Sequence, residues 1–67
     1  MESELRRIRN ERELSQEALA RKARIAQTTL SGYERGERPV PKRVAERLAR
    51  ILRADVQTLF AEDGGTR

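Results

Sequence analysis

Ser15 to Gly36, SQEALARKARIAQTTLSGYERG, decides how this chain is read. Ser15 is a strong N-cap residue, so a helix can start at Gln16. Leu19 and Ala23 are four apart and share one face. Ala20 beside them is small enough to let another helix cross closely. Ile25 follows a break in the pattern. Leu30 and Tyr33 then begin a second apolar stripe, and Gly36 is placed to end that helix in the left-handed conformation. The stretch predicts a short helix over 16–23, a turn over 24–26 and a second short helix over 27–35.

The second helix carries two unlike faces. With Gln27 at 0° and a step of about 100° per residue, Gln27, Ser31, Arg35, Thr28 and Gly32 span roughly 0–140°. Thr29, Tyr33, Leu30 and Glu34 span roughly 200–340°. The first face is small and polar, with one Arg at its C-terminal end. The second is mostly apolar. An ordinary exposed face in so charged a chain would carry more Lys and Glu. Gln, Thr, Ser and Gly instead suit a groove in which base edges are approached closely.

On these residues the stretch resembles the helix-turn-helix of the phage-repressor family, the lambda-repressor and Cro-like proteins also called the xenobiotic-response-element family. Leu14, Ser15, Gln16, Leu19, Ala20, Ile25, Leu30, Ser31, Glu34 and Gly36 carry the likeness, which extends over about Leu5 to Phe60. The ERGERP ending, Glu34 to Pro39, is also similar to restriction–modification controller proteins, though that signal is weaker.

Composition bounds the alternatives. The chain has 67 residues and a net charge of +4, with no Cys and no His. That length makes one domain, and a chain of this size buries only about 60% of its unfolded surface, which leaves little room for an enclosed active site. Disulfides, the usual zinc, haem or iron–sulfur ligands, and His- or Cys-based nucleophilic sites are excluded. No cofactor or metal is expected. No nucleophile–base pair or phosphate-binding Gly loop is present, so an enzyme is the poorest option. No apolar run is long enough for a membrane span, and the cytoplasm is the expected compartment. The basic balance favours polyanion partners. Arg outnumbers Lys, with Lys22 and Lys42 the only lysines, and this suits bidentate phosphate contacts. Tyr33 and Phe60 are the only aromatics, too few for a single-strand stacking platform.

Outward from the core stretch, Met1 to Arg12 reads as a first helix. Met1, Leu5 and Ile8 form its apolar stripe, Ser3 is an alternative cap, and Glu2 and Arg6 can pair. Arg9 lies at the edge of the stripe. The resemblance implies that Arg9 forms a partly buried ion pair with Glu34, tying the first helix to the third. It also implies that Gln16, at the first turn of helix 2, meets a DNA phosphate, which suits the free N–H groups there.

Three positions depart from the family pattern. Glycine is usual at or near Glu13, Arg24 and Arg53, often with positive φ. Either these turns adopt another conformation, or the chain accepts about 1 kcal/mol each. If the φ is tolerated, loss of glycine lowers the entropy of the unfolded chain, and heat resistance becomes an explanation. Ala26, where Ser or Thr would cap helix 3, leaves N–H groups free for water or phosphate.

In helix 3, Gln27 is the best candidate for base reading, because its amide can pair bidentately with adenine. Thr28 can offer a hydroxyl to a base or its methyl to thymine. Ser31 and Gly32 lie one turn further along the same face as base-contacting positions, Gly32 with loose specificity. Thr29, at the face edge, is assigned to phosphate, and Tyr33 to the core. Pro39 and Pro41 stiffen the following loop. Arg35, Arg38, Lys42 and Arg43 cluster around it as a phosphate clamp, diluted by Glu37.

Helix 4 is expected from Pro41 to Leu52, with Pro41 at its first position and Val44, Leu48, Ile51 and Leu52 as its core stripe. Asp55 caps a last helix, Val56 to Ala61. Val56, Leu59 and Phe60 give it more apolar surface than so short a helix needs, and they are the candidate dimer contact. The expected fold is all-α: a compact bundle of five short helices over 1–61, with the helix-turn-helix at 16–35 and a flexible tail at 62–67.

The leading expectation is a sequence-specific binder of double-stranded DNA, a transcriptional regulator acting as a repressor, working as a homodimer. The runner-up is a protein-interaction module, antitoxin-like or an adaptor for a protein partner, favoured by the apolar end at Val56–Phe60. With no room for a ligand domain, control by abundance or by a partner is more plausible than a small-molecule switch.

Overall fold

Two serines start the first two helices. Ser3 Oγ accepts from Arg6 N at 3.1 Å, and Ser15 Oγ accepts from Ala18 N at 3.0 Å. Each closes one of the free N–H groups of a first turn, and Glu4 and Glu17 add a negative charge there. The computed structural model describes residues 3–64. Helix α1 spans Glu4–Glu11, α2 Gln16–Ala23, α3 Gln27–Glu34, α4 Lys42–Leu52 and α5 Val56–Gly64. The first helix thus starts after the Ser3 cap. Met1 and Glu2, expected in its stripe and its ion pair, lie outside the described residues.

Four of the helices end in the same way. The amide after each left-handed residue reaches back to the carbonyl five residues earlier: Leu14 to Arg9, Ile25 to Ala20, Glu37 to Gly32 and Ala54 to Ala49. Each left-handed residue also donates to the carbonyl three residues back. This is the Schellman arrangement, and it occupies carbonyls a helix end would otherwise leave open. Gly36 fills the left-handed position after α3, with φ 73°. The other three are Glu13 (φ 59°), Arg24 (φ 62°) and Arg53 (φ 56°). The turns therefore keep the conformation that favours glycine and accept the side chain.

Each of those three turns is also gripped by an arginine. Arg9 Nη1 donates to Leu14 O at 2.8 Å, Arg47 Nη1 to Ala23 O at 2.9 Å, and Arg12 Nε to Leu52 O at 2.7 Å. A guanidinium at a helix C-terminus meets both the open carbonyls and the negative end of the helix dipole. These bonds lock the turns that set the angles between helices.

The core takes a leucine from each of the first four helices, with Leu5, Leu19, Leu30, Leu48 and Leu52 fully buried. Helix α2 packs on α3 and α4, α5 packs on α1 and α4, and α1 touches α3. On α4 the buried stripe is Ala45, Leu48, Ala49 and Leu52. The expected stripe is thus rotated, and Val44 and Ile51 are only half-buried at its flank. The small alanines let α2 and α5 approach, which bulkier residues would prevent. Pro41 is extended (φ −58°, ψ 146°) and precedes α4 as its cap, with its carbonyl accepting from Ala45 N at 2.8 Å.

Helix α5 corrects the sequence reading most. Leu59 and Phe60 are core residues, only 4% and 9% exposed, and Val56 packs half-buried against them. Because α5 packs on α1 and α4, Leu59 and Phe60 are buried within the chain and are not open to a second copy. The backbone leaves helical geometry at Phe60 (φ −126°, ψ 26°), and α5 then continues to Gly64, past the expected end at Ala61. Of the expected 62–67 tail, residues 65–67 lie outside the described residues.

Candidate nucleic-acid interface

A chain of polar contacts runs from α1 through α2 to the first residue of α3. Arg9 Nε meets Glu34 Oε2 at 2.6 Å, and Arg9 Nη2 meets Glu34 Oε1 at 3.2 Å. The two side chains are 10% and 3% exposed, so this is a buried bidentate pair. Gln16 Nε2 donates to the same Glu34 Oε1 at 3.0 Å. Its other amide atom, Oε1, receives Gln27 Nε2 at 3.4 Å. A carboxylate can only accept, so Glu34 turns the Gln16 amide nitrogen inward and its oxygen towards Gln27. The 3.4 Å contact is long for an N–H···O bond and holds Gln27 loosely. Gln16 is thus half-buried and engaged at both ends.

Along α3, Gln27 and Thr28 are exposed, while Thr29 and Ser31 are half-buried. Ser31 Oγ accepts from Arg35 Nη1 at 2.7 Å, and Arg35 Nη2 meets Glu37 Oε1 at 3.0 Å. The hydrogen bond from Arg35, with its charge, holds the Glu37 carboxyl below its ordinary range and raises Arg35 in turn. Gly32 departs from its expected place on the reading face. It is buried, with the stem of Arg38 lying over it. Arg38, Lys42 and Arg43 are exposed.

The helix starts differ in how their free N–H groups are met. Helices α1 and α2 satisfy their own N-termini with Ser caps and an acid in the first turn. Helices α3 and α4 have neither a side-chain cap bond nor an acid there. Helix α4 even opens with Lys42 and Arg43, placing cations on the positive end of its dipole. In isolation that is unfavourable. It becomes favourable when an anion sits in front.

Arg12 and Arg47 escaped the sequence reading. Their work is done on backbone carbonyls far along the chain, and nothing in local spacing marks such contacts. Among the described residues, no three His, Cys, Asp or Glu side chains are grouped to hold a metal ion, and no helix is long and apolar enough to cross a membrane.

Residues 3–62 match the model of a family described as a helix-turn-helix domain. No curated protein and no solved structure matches the chain.

Proposed function

The chain belongs to the helix-turn-helix domain family, a DNA-binding fold, and from that premise we propose that it reads double-stranded DNA sequence-specifically as a transcriptional repressor of the phage-repressor branch. Helix α3 enters the major groove. Gln27 and Thr28 read base edges, with Ser31 behind them. Gln16, Thr29, Arg35, Arg38, Lys42 and Arg43 meet phosphates and fix the register without reading sequence. The observation that carries this reading is the exposed, uncharged start of α3 at Gln27 and Thr28, at a helix N-terminus that has neither a side-chain cap bond nor an acid in its first turn.

Two copies would read half-sites about one helical turn apart, in the cytoplasm. With Leu59 and Phe60 in the core, that contact would draw on half-buried apolar side chains such as Val44, Ile51 and Val56. The same burial removes the main support for a protein-interaction module.

Selection of bound duplexes from a random pool at moderate salt tests the proposal. An enriched inverted repeat supports a dimeric regulator, and its spacing reports the dimer geometry. An enriched single half-site supports a monomeric reader. Binding without enrichment would reduce Gln27 and Thr28 to bystanders. No binding by a folded sample would overturn the reading.

A further inference from the structure

Gly32 stands in the interior of α3, where glycine is a poor choice. Its backbone is not in the left-handed region that would call for one. Space calls for it instead. A Cβ at this position would stand 2.9 Å from Arg38 Cδ, 3.1 Å from Cγ and 3.2 Å from Nε. Gly36, by contrast, has nothing within 4 Å of such an atom. The Arg38 stem therefore lies in a notch that exists only because α3 lacks a side chain there.

Arg38 is held but not neutralised. Among the described residues its guanidinium has no hydrogen-bond or ion-pair partner. Glu37, its neighbour in the chain, is taken by Arg35. Pro39 follows directly and keeps the Arg38 backbone out of helical conformations. A long side chain normally loses rotamer freedom when it binds, and prior seating removes that cost.

We propose that Gly32 is a positioning residue: the absent side chain seats Arg38 across α3 and holds its guanidinium ready for a phosphate of the duplex. This rests on the DNA-binding reading above and changes the role of Gly32 within it. The glycine does not face a base. It places an arginine, and the contact it supplies carries no sequence information.

The test uses wild type, Gly32→Ala, Arg38→Ala and the double variant. Each is titrated against the duplex enriched by selection and a scrambled duplex of equal length, from 50 to 200 mM salt, and each is melted thermally. Gly32→Ala is expected to melt no lower than wild type, because a flexible stem yields and alanine is the better helix former. It should nevertheless weaken both duplexes. The slope of log affinity on log salt should become shallower by about 0.9, so the fourfold salt step costs about 3.5-fold less affinity than in wild type. Arg38→Ala should do the same, and Gly32→Ala should add nothing to it.

An unchanged slope in either single variant overturns the assignment. So do additive losses in the double variant, which would mean that Gly32 itself meets the DNA. A loss confined to the enriched duplex would make Arg38 a base reader and also overturns it. The double variant has no stem for the new methyl to meet, so it remains informative even if Gly32→Ala alone unfolds. A folded wild type that binds neither duplex fails the DNA-binding reading itself, a result distinct from all of these.

Discussion

Gln27 occupies the position where the fold's polar relay reaches solvent. Its amide nitrogen is 3.4 Å from Gln16 Oε1, near enough to be steered and too far to be fully spent. That leaves its oxygen and one N–H for adenine, the pairing a planar amide can complete. Gln27→Ala should cost about 1–3 kcal/mol on the selected duplex and relax preference at one base position. Equal weakening on all sequences would remove the reading role. Glu37 acts in the opposite sense, by holding one edge of the Arg35 guanidinium. Its carboxyl sits below its ordinary pKa, so the stability it adds is full above the ordinary carboxylate range and lost as pH falls through the lowered folded value. The pair is exposed, and the effect on folding is small. The effect on binding is larger: Glu37→Gln frees Arg35 and should tighten every duplex, steepening the salt slope by up to about 0.9. Unaltered binding would show that Arg35 faces no phosphate.

At the scale of elements, the turns are the unusual feature. Glu13, Arg24 and Arg53 are all left-handed, each costing roughly 1–2 kcal/mol relative to right-handed backbone. Loss of glycine returns only about 0.4–1 kcal/mol through the unfolded chain. The balance does not favour these residues, so they do not by themselves make the domain heat-resistant. Arg53→Gly should accordingly be neutral or stabilise by up to about 1 kcal/mol in urea denaturation, since the bonds from Arg12 go to backbone oxygens and survive the change. A clear loss of stability would mean that the Arg53 side chain does something the backbone geometry does not reveal. These turns were legible in the sequence because a turn of fixed shape limits which residues fit comfortably. The start of α2 was legible for a related reason: Ser15 had one local task, and it performs it. The face of α4 was not legible in the same way. Ala45 and Ala49 give a weak apolar signal beside Val44 and Ile51, and only the approach of α2 and α5 selects the smaller pair. Gly32 misled for a similar reason, because its neighbour Arg38 arrives from the next loop and no helical wheel contains it.

For the molecule as a whole, two contacts tie helices together that are distant in the chain. One is the Arg9–Glu34 pair, which joins α1 to α3. Removing either partner strands a buried charge and should cost about 3–5 kcal/mol. Arg9→Ala with Glu34→Ala should cost much less than the sum of the single changes, and a coupling near zero in that cycle would exclude the pair as the tie between helices. The other is the seat of α5. Sequence alone left Leu59 and Phe60 open to a second copy of the chain, since an apolar run cannot say which surface it covers. The fold places both side chains against α1 and α4. Phe60→Ala should therefore cost about 3–5 kcal/mol, a large share of the 5–15 kcal/mol typical of a domain. Because the contact lies within one chain, the loss should be the same at low and high protein concentration. Urea unfolding followed at two concentrations a hundredfold apart separates the cases. A midpoint that drops equally at both places Phe60 in the core. A midpoint unchanged at the lower concentration, with weakened self-association at the higher, would return Phe60 to a dimer interface and require α5 to sit differently from the arrangement described.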